Sequence, residues 1–223
     1  MGYTLGVYGI SGKMGKKVQE GAEKDPFFTA VIGYNRSSTV ELHTFVASCD
    51  VIIDFSTPEA VSPLLTAIME SKKPLVTGTT GLSAQTRVQL ELTSSQTPIL
   101  YAANFSLGIA ACLQAVAVLS KTLPPNFHVA ITETHHVHKK DSPSGTALAF
   151  AQATHIDTPI TSIRQDEVVG KHQIFFSSPD ELIELAHQAF SRETFAQGAL
   201  FAAKALVLKP PGLYCLQDML SCS

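Results

Sequence analysis

An α/β fold, with a doubly wound parallel sheet interrupted by an inserted α+β domain, is what this sequence predicts, and three features carry the prediction. Short apolar runs alternate with helical segments as far as Asn104. Most of those runs end in loops rich in Gly, Ser, Thr and Asn, the residues expected of binding loops at strand C-termini. Beyond Ser106 the pattern changes to a long apolar helix, a strand of period two and further short strands, before helical segments close the chain.

In chain order, Leu5 to Tyr8 reads as the first strand and runs into Gly9-Ile10-Ser11-Gly12-Lys13-Met14-Gly15, with a helix expected from Lys16 to Glu23. This is G-x-x-G-x-x-G between a strand and a helix, where glycines permit a tight turn and let a pyrophosphate approach the backbone. The first domain is therefore expected to be of the Rossmann, dinucleotide-binding type. Ala30 to Tyr34 is the next strand, and Tyr34-Asn35-Arg36-Ser37-Ser38 at its end falls where an adenosine ribose is read. An acid there suits the 2′-OH of NAD, and a base suits the phosphate of NADP. Arg36 is the basic candidate, and a solvated loop charge is the plainer alternative.

Val51 to Phe55 is almost continuously apolar, as in a parallel strand covered on both faces, and Ser56-Thr57-Pro58-Glu59 caps a helix ending near Ser71. A strand at Pro74 to Thr77 ends in Gly78-Thr79-Thr80-Gly81, and a helix follows from Ser83 to Leu92. Pro98 to Ala103 is the last strand of this half and ends at Asn104-Phe105-Ser106. Ligand is expected across these loop ends, although Thr79 and Thr80 are equally ordinary turn residues.

Ile109 to Lys121 reads as an apolar helix, and Phe127, Val129 and Ile131 alternate with polar or small residues in a half-buried strand. Strands are expected near Ser162 to Arg164, His172 to Ser177 and Glu181 to Phe190, the last in an antiparallel sheet. Helical segments around Thr194 to Leu208 and Leu216 to Leu220 return to the first domain. The domains are thus expected to be 1–105 with 193–223, which binds dinucleotide, and 106–192, which binds substrate and mediates assembly.

Composition narrows the function. The 223 residues and 45% apolar content suffice for a buried core, and a net charge of -3 gives no field to hold a nucleic-acid backbone. Cys49, Cys112, Cys215 and Cys222 have neither zinc-site nor disulfide-framework spacing, so reduced thiols in a cytoplasm are expected. Neither a signal peptide nor a membrane-spanning run is expected.

One stretch concentrates the chemistry. Between Glu133 and Thr146 stand His135, His136, His138, Lys139 and Lys140, followed by Ser144-Gly145-Thr146 at the start of an apolar run. Ser144 is a good N-cap, and the helix it opens offers free N–H groups and a positive dipole end, as an anion site would. His135, His136 and His138 also suggest metal ligands, but neighbouring histidines on an extended segment point to opposite sides, and no metal is expected. Glu133 either orients His135 or simply ends a strand. Lys139 beside the imidazoles favours neutral histidine at pH 7.

Read as E-x-H-H-x-x-K-x-D-S-P-S-G-T-A, the stretch resembles the substrate motif of the dihydrodipicolinate reductase family of the diaminopimelate and lysine pathway. The glycine loop, G-T-T-G at Gly78 to Gly81, A-N-F-S-x-G at Ala103 to Gly108 and T-F-A-x-G-A at Thr194 to Ala199 resemble the same family, and the likeness covers nearly the whole chain. The resemblance implies reduction of a hydroxylated cyclic imine dicarboxylate, 4-hydroxy-tetrahydrodipicolinate, to tetrahydrodipicolinate with loss of water. It implies NADPH or NADH as cofactor, and Arg36 makes NADPH the preferred one. By the same likeness Gly9, Ile10, Ser11, Gly12, Lys13 and Met14 hold the pyrophosphate, and Gly78, Thr79 and Thr80 line the cofactor. Ala102, Ala103, Asn104 and Phe105 flank the nicotinamide. His135 is the acid, Lys139 holds and polarises the substrate, and His136, Gly145 and Thr146 bind its carboxylate. A homotetramer built through the second domain's sheet is implied as well. Two departures stand out: the chain is short between Arg164 and Lys171, where the family has a longer loop, and again after Arg36. A non-catalytic NADP-binding sensor or assembly protein is the alternative.

Overall fold

The computed structural model describes residues 2–220. The chain forms two compact units: one runs to Phe105 and resumes at Phe195, and the other is Ser106–Thr194.

The first unit opens with β1 (Tyr3–Tyr8), α1 (Lys13–Ala22) and β2 (Phe28–Tyr34), followed by α2 (Leu42–Ala47) and β3 (Val51–Asp54). It continues with α3 (Pro58–Ser71), β4 (Leu75–Thr77), α4 (Ala84–Ser94) and β5 (Pro98–Tyr101). β3 and β4 are buried at every residue, as the continuous apolar runs require of strands covered on both faces. Pro58 opens α3 at a position where its missing N–H is no loss, and the Ser83 hydroxyl caps α4 by accepting from the Thr86 N–H at 3.1 Å. The helix expected from Lys16 begins at Lys13, so Lys13 and Met14 stand in its first turn and not in the preceding loop.

The second unit comprises α5 (Leu107–Thr122), β6 (His128–His135), α6 (Gly145–Thr154), β7 (Ile160–Arg164), β8 (Gly170–Ser177) and β9 (Leu182–Ala189). Its sheet runs β7-β6-β8-β9, with β7 parallel to β6 through the α6 crossover and the other pairs antiparallel. α5 and α6 cover one face, where Ile109, Val116, Val129, Ile131, Phe150, Ile174 and Phe176 form the core. The other face presents Thr132, Gln173, Phe175, Leu182 and Glu184, none of them fully buried.

The chain then returns through α7 (Glu193–Leu206), β10 (Gly212–Tyr214) and α8 (Gln217–Leu220). β10 and the short α2 have no counterpart in the sequence reading. β10 pairs with β5, giving an all-parallel six-stranded sheet in the order β10-β5-β4-β3-β1-β2. The order reverses between β1 and β3, and in open α/β sheets ligands bind at such a point, beyond the strand C-termini. Cys49, Cys112 and Cys215 are free, whereas Cys222 lies outside the described residues. Among the described residues no helix is long and apolar enough to cross a membrane.

Candidate active site

At the reversal point β1 turns sharply. Gly9 has φ +87°, and a Cβ there would lie 2.7 Å from the Phe55 carbonyl oxygen, so the turn admits only glycine. The Gly9 and Ile10 N–H groups donate to the Tyr34 carbonyl at 2.9 and 3.3 Å, which ties the loop to the end of β2. No side chain caps α1, whose N-cap residue is Gly12, so its first N–H groups are available to a pyrophosphate.

Two cavities flank this loop. One of 630 Å³ is lined by Gly9, Ser11, Gly12, Tyr34, Asn35, Arg36 and Ser37, among others, a size suited to the adenosine half of a dinucleotide. The other, of 370 Å³, is lined by Lys13, Met14, Ser56, Gly78, Thr79 and Thr80, among others. Glycine turn, uncapped helix and paired cavities fit a nicotinamide dinucleotide. Within the first cavity Tyr8 donates to the Ala60 carbonyl at 3.2 Å, and burial, with Asp54 and Tyr34 nearby, pushes its phenol up to about 12. It is therefore a neutral wall of the cavity.

Other expected residues are placed differently. Ile10 turns its side chain against Gly33 of β2 and leaves only its backbone to the loop. Neither cavity is lined by Ala102, Ala103, Asn104 or Phe105, and Phe105 is buried with its ring edge-on to Phe55 at 5.4 Å. Arg36 is exposed at the mouth of the first cavity. Asn35 uses its side chain locally, accepting from the Ser37 N–H at 2.8 Å, and the Ser38 hydroxyl accepts from the Asn35 N–H at 3.0 Å. Ser38 is thus turned into its own loop.

In the second unit the period of two extends to the end of β6, so Glu133 and His135 share the buried face with Val129 and Ile131. Glu133 has no exposed surface. One of its carboxylate oxygens bonds His135 Nδ1, and the other meets Arg164 Nη2 at 2.9 Å and the Ser144 N–H at 3.3 Å. Arg164 also donates to the Asp141 carbonyl at 2.6 Å and so ties the motif loop to β7. Burial alone would raise the Glu133 carboxyl, but the Arg164 guanidinium and His135 hold it below the usual carboxylate range. For His135 the balance is opposite: burial lowers the imidazole, Glu133 opposes, and Lys139 and Arg164 add to the lowering. The resting imidazole is neutral, as the sequence suggested, with burial as the larger cause and Lys139 the smaller.

His135 Nε2 is the free end of this arrangement. Gly170, the first residue of β8, keeps it clear, because a Cβ there would stand 3.1 Å from Nε2. Lys139 is half-buried and pairs with Asp141 at 2.9 Å, and its backbone N–H donates to the His136 carbonyl at 3.1 Å. His136 is half-buried with an unpartnered Nδ1, and its ring stands 6.2 Å from that of His138. Ser144 caps α6, accepting from the Ala147 N–H at 3.2 Å, and Gly145 and Thr146 form the helix's first turn. Nothing lies within 4 Å of a Cβ built on Gly145, which leaves room for a ligand at the helix N-terminus.

His172, which the sequence reading placed only at the start of a strand, completes the cluster: its ring stands edge-on to His135 at 5.1 Å, and its Nε2 is 3.4 Å from the Ser144 hydroxyl. Glu133, His135 and His172 thus place ligand-type atoms within 4.8 Å of one another. Both Glu133 oxygens are already bonded, one of them to a guanidinium, which makes the cluster a hydrogen-bond network more than a cation cage. Burial and the nearby His135 push His172 from its ordinary 6.5 down to about 4. Its folded value lies below the unfolded one, so its contribution to stability is present above pH 6.5 and is lost as pH falls towards 4. The loss is on the order of 3 kcal/mol at one pKa unit per ~1.4 kcal/mol. Melting followed from neutral to acid pH should show this slope, and His172→Asn should flatten it; equal slopes in both proteins would refute it.

A doubly wound dinucleotide unit joined to a second unit that carries a buried acid–imidazole–guanidinium cluster is the make-up of a nicotinamide-dependent reductase. The profile of the dihydrodipicolinate reductase N-terminus matches residues 3–105, and that of its C-terminus matches 108–220. A 4-hydroxy-tetrahydrodipicolinate reductase of Xanthomonas campestris pv. campestris is 40% identical, over 96% of this chain and 95% of its own. One from a Nitratiruptor species is 36% identical, over 97% and 98%. The dipicolinate-bound dihydrodipicolinate reductase of a Paenisporosarcina species shares the fold, with TM-score 0.84 at 22% identity over 98% of this chain and 99% of that one. The chain belongs to the dihydrodipicolinate reductase family and is an oxidoreductase that works with NADH or NADPH.

Proposed function

We propose that the protein reduces 4-hydroxy-tetrahydrodipicolinate to tetrahydrodipicolinate, with His135 as the acid and NADPH as the preferred cofactor. The observation that carries this reading is the buried chain Arg164–Glu133–His135, which orients one imidazole and leaves its Nε2 open. The bound dinucleotide supplies a hydride; overall one hydride and one proton enter the substrate and one water leaves. Glu133 holds Nδ1–H and provides the counter-charge for an imidazolium. His135 is neutral at rest, and the two carboxylates of an arriving substrate raise its pKa, so the acid is loaded when it is needed. Lys139 polarises the ring, while His136, Gly145 and Thr146 take a carboxylate at the N-terminus of α6.

In the first unit Gly9 to Met14 hold the pyrophosphate, Gly78 to Thr80 line the cofactor, and Ala102 to Phe105 flank the nicotinamide. Asn35 carries no charge to repel a 2′-phosphate, and Arg36 at the cavity mouth offers a planar cation. A hydrogen bond to a charged acceptor contributes ~1.5–3 kcal/mol, and exposure of Arg36 halves it. The result is a preference of roughly 3- to 10-fold for NADPH in kcat/KM, with NADH still used. The face of the second sheet that bears Phe175 and Leu182 is left open by α5 and α6, and it builds a homotetramer whose mass light scattering would show. The free thiols suit a cytoplasmic setting.

One assay tests the reading: oxidation of NADPH and of NADH in the presence of the cyclic imine dicarboxylate, for wild type and Arg36→Ala. Expected are turnover with both, NADPH preferred, and a preference that collapses in Arg36→Ala. No oxidation of either cofactor would overturn this substrate. A wild-type preference for NADH, or equal weakening of both cofactors in Arg36→Ala, would overturn the role of Arg36.

A further inference from the structure

We propose that Asp54 is a positioning residue of the dinucleotide site, its carboxylate fastening together the two loops that line the nicotinamide-side cavity. The inference rests on the reading of those loops as the cofactor site. Asp54 ends β3 beside the reversal of strand order, between Tyr8 of β1 and Thr77 of β4, and has no exposed surface. Its Oδ2 accepts from the Thr77 hydroxyl at 2.6 Å and from the Thr79 hydroxyl at 2.9 Å, and its Oδ1 accepts from the Ser56 N–H at 2.9 Å. The Ser56 N–H is shared with the Thr79 oxygen at 3.0 Å, and the Gly78 N–H donates to the Asp54 carbonyl at 2.9 Å. Ser56, Gly78 and Thr79 therefore hang from one side chain and its own backbone, and all three line the 370 Å³ cavity.

A carboxylate buried this deeply is costly, and among the described residues no cation lies within ion-pair distance of it. Burial raises its pKa, and the donors from Ser56, Thr77 and Thr79 oppose the rise. What the ionised group alone provides is acceptor capacity on both oxygens. An asparagine could keep the Ser56 N–H only by turning its NH2 toward the two hydroxyls, which would then accept from it and lose the acceptor for their own protons. The arrangement also assigns duties within G-T-T-G. The Thr79 hydroxyl gives its proton to Asp54 and a lone pair to Ser56, so Thr79 meets a ligand through its backbone. The exposed Thr80 is then the residue with a hydroxyl to offer.

The test titrates NADPH into wild type, Asp54→Asn, Thr77→Val and Thr77→Ser, following cofactor fluorescence, with melting and steady-state kinetics on the same proteins. Asp54→Asn should raise the NADPH dissociation constant about tenfold or more, while KM for the cyclic imine changes by less than ~3-fold. Thr77→Val should move in the same direction, and Thr77→Ser, which keeps the hydroxyl, should lie nearer to wild type. Folded Asp54→Asn with wild-type NADPH affinity would overturn the inference alone, as would a loss shared equally by cofactor and substrate. If Asp54→Asn does not fold, Thr77→Val decides by the same criterion. A wild-type protein that binds neither NADPH nor NADH would overturn the dinucleotide reading, and this inference with it.

Discussion

Turnover at least ~100-fold below wild type is expected for His135→Gln and for Lys139→Ala, with NADPH affinity nearly unchanged, since neither residue belongs to the unit that carries the glycine loop. His135→Gln removes a group whose only free atom, Nε2, is kept open by Gly170. Lys139→Ala removes an ammonium held in place by Asp141 at 2.9 Å. The pH profile separates an acid from a mere filler of space. As the proposed acid, His135 must be protonated to act, and burial with nearby Lys139 and Arg164 sets its pKa below the ordinary value in the free protein. Consequently kcat/KM should fall as pH rises through that lowered value, and this limb should vanish in His135→Gln. Steady-state rates across pH, with fluorescence titration of NADPH, check both parts. Wild-type turnover in both variants would dismiss the assignment.

Loss of Glu133 should be felt twice, in rate and in stability. Glu133→Ala strands a largely buried guanidinium, whose side chain is 20% exposed, and frees His135 Nδ1. Breaking a buried pair by removing one partner costs roughly 3–5 kcal/mol, and the residual exposure of Arg164 with its bond to the Asp141 carbonyl places this case at the lower end. Glu133→Gln keeps the shape but not the counter-charge of the imidazolium, so its expected defect is a turnover lowered by ~10²–10³-fold with a smaller stability loss. Denaturant unfolding and kcat, measured on both variants, distinguish the two effects. A folded Glu133→Gln with wild-type kcat would show that Glu133 does no more than end a strand.

Much of this was legible in the sequence, and the gaps have physical causes. β3 and β4 announce themselves because strands covered on both faces are apolar throughout, and Ser83 and Ser144 mark helix starts because their hydroxyls satisfy N–H groups that the helix cannot. Glu133 was within reach, since it falls in phase with Val129 and Ile131, but the same phase also describes a residue that merely ends a strand. Arg164 and His172 were not, because they meet Glu133 only through the register of β7 and β8 on either side of β6. β10 is three residues beside two prolines, too short for any period, and only its pairing with β5 defines it. α1 starts early because Gly15 packs against the Gly9 turn, where a Cβ would come within 2.3 Å of the Gly9 carbonyl oxygen; tertiary contact there overrides glycine's poor helix propensity.

The pairing of β10 with β5 also sets an order of events at the ribosome. The second unit is a continuous segment, so every strand it needs has been synthesised before α7 begins. The first unit is not in that position. Its β5 edge stays bare, and Asp25 waits for Lys204 of α7, until the last stretch of chain has emerged. A nascent chain therefore has every strand of the inserted unit while the nucleotide sheet still has an open edge, a state that favours capture by chaperones or by other unpaired strands. Truncation before Gly212 would keep Lys204 but leave the β5 edge bare.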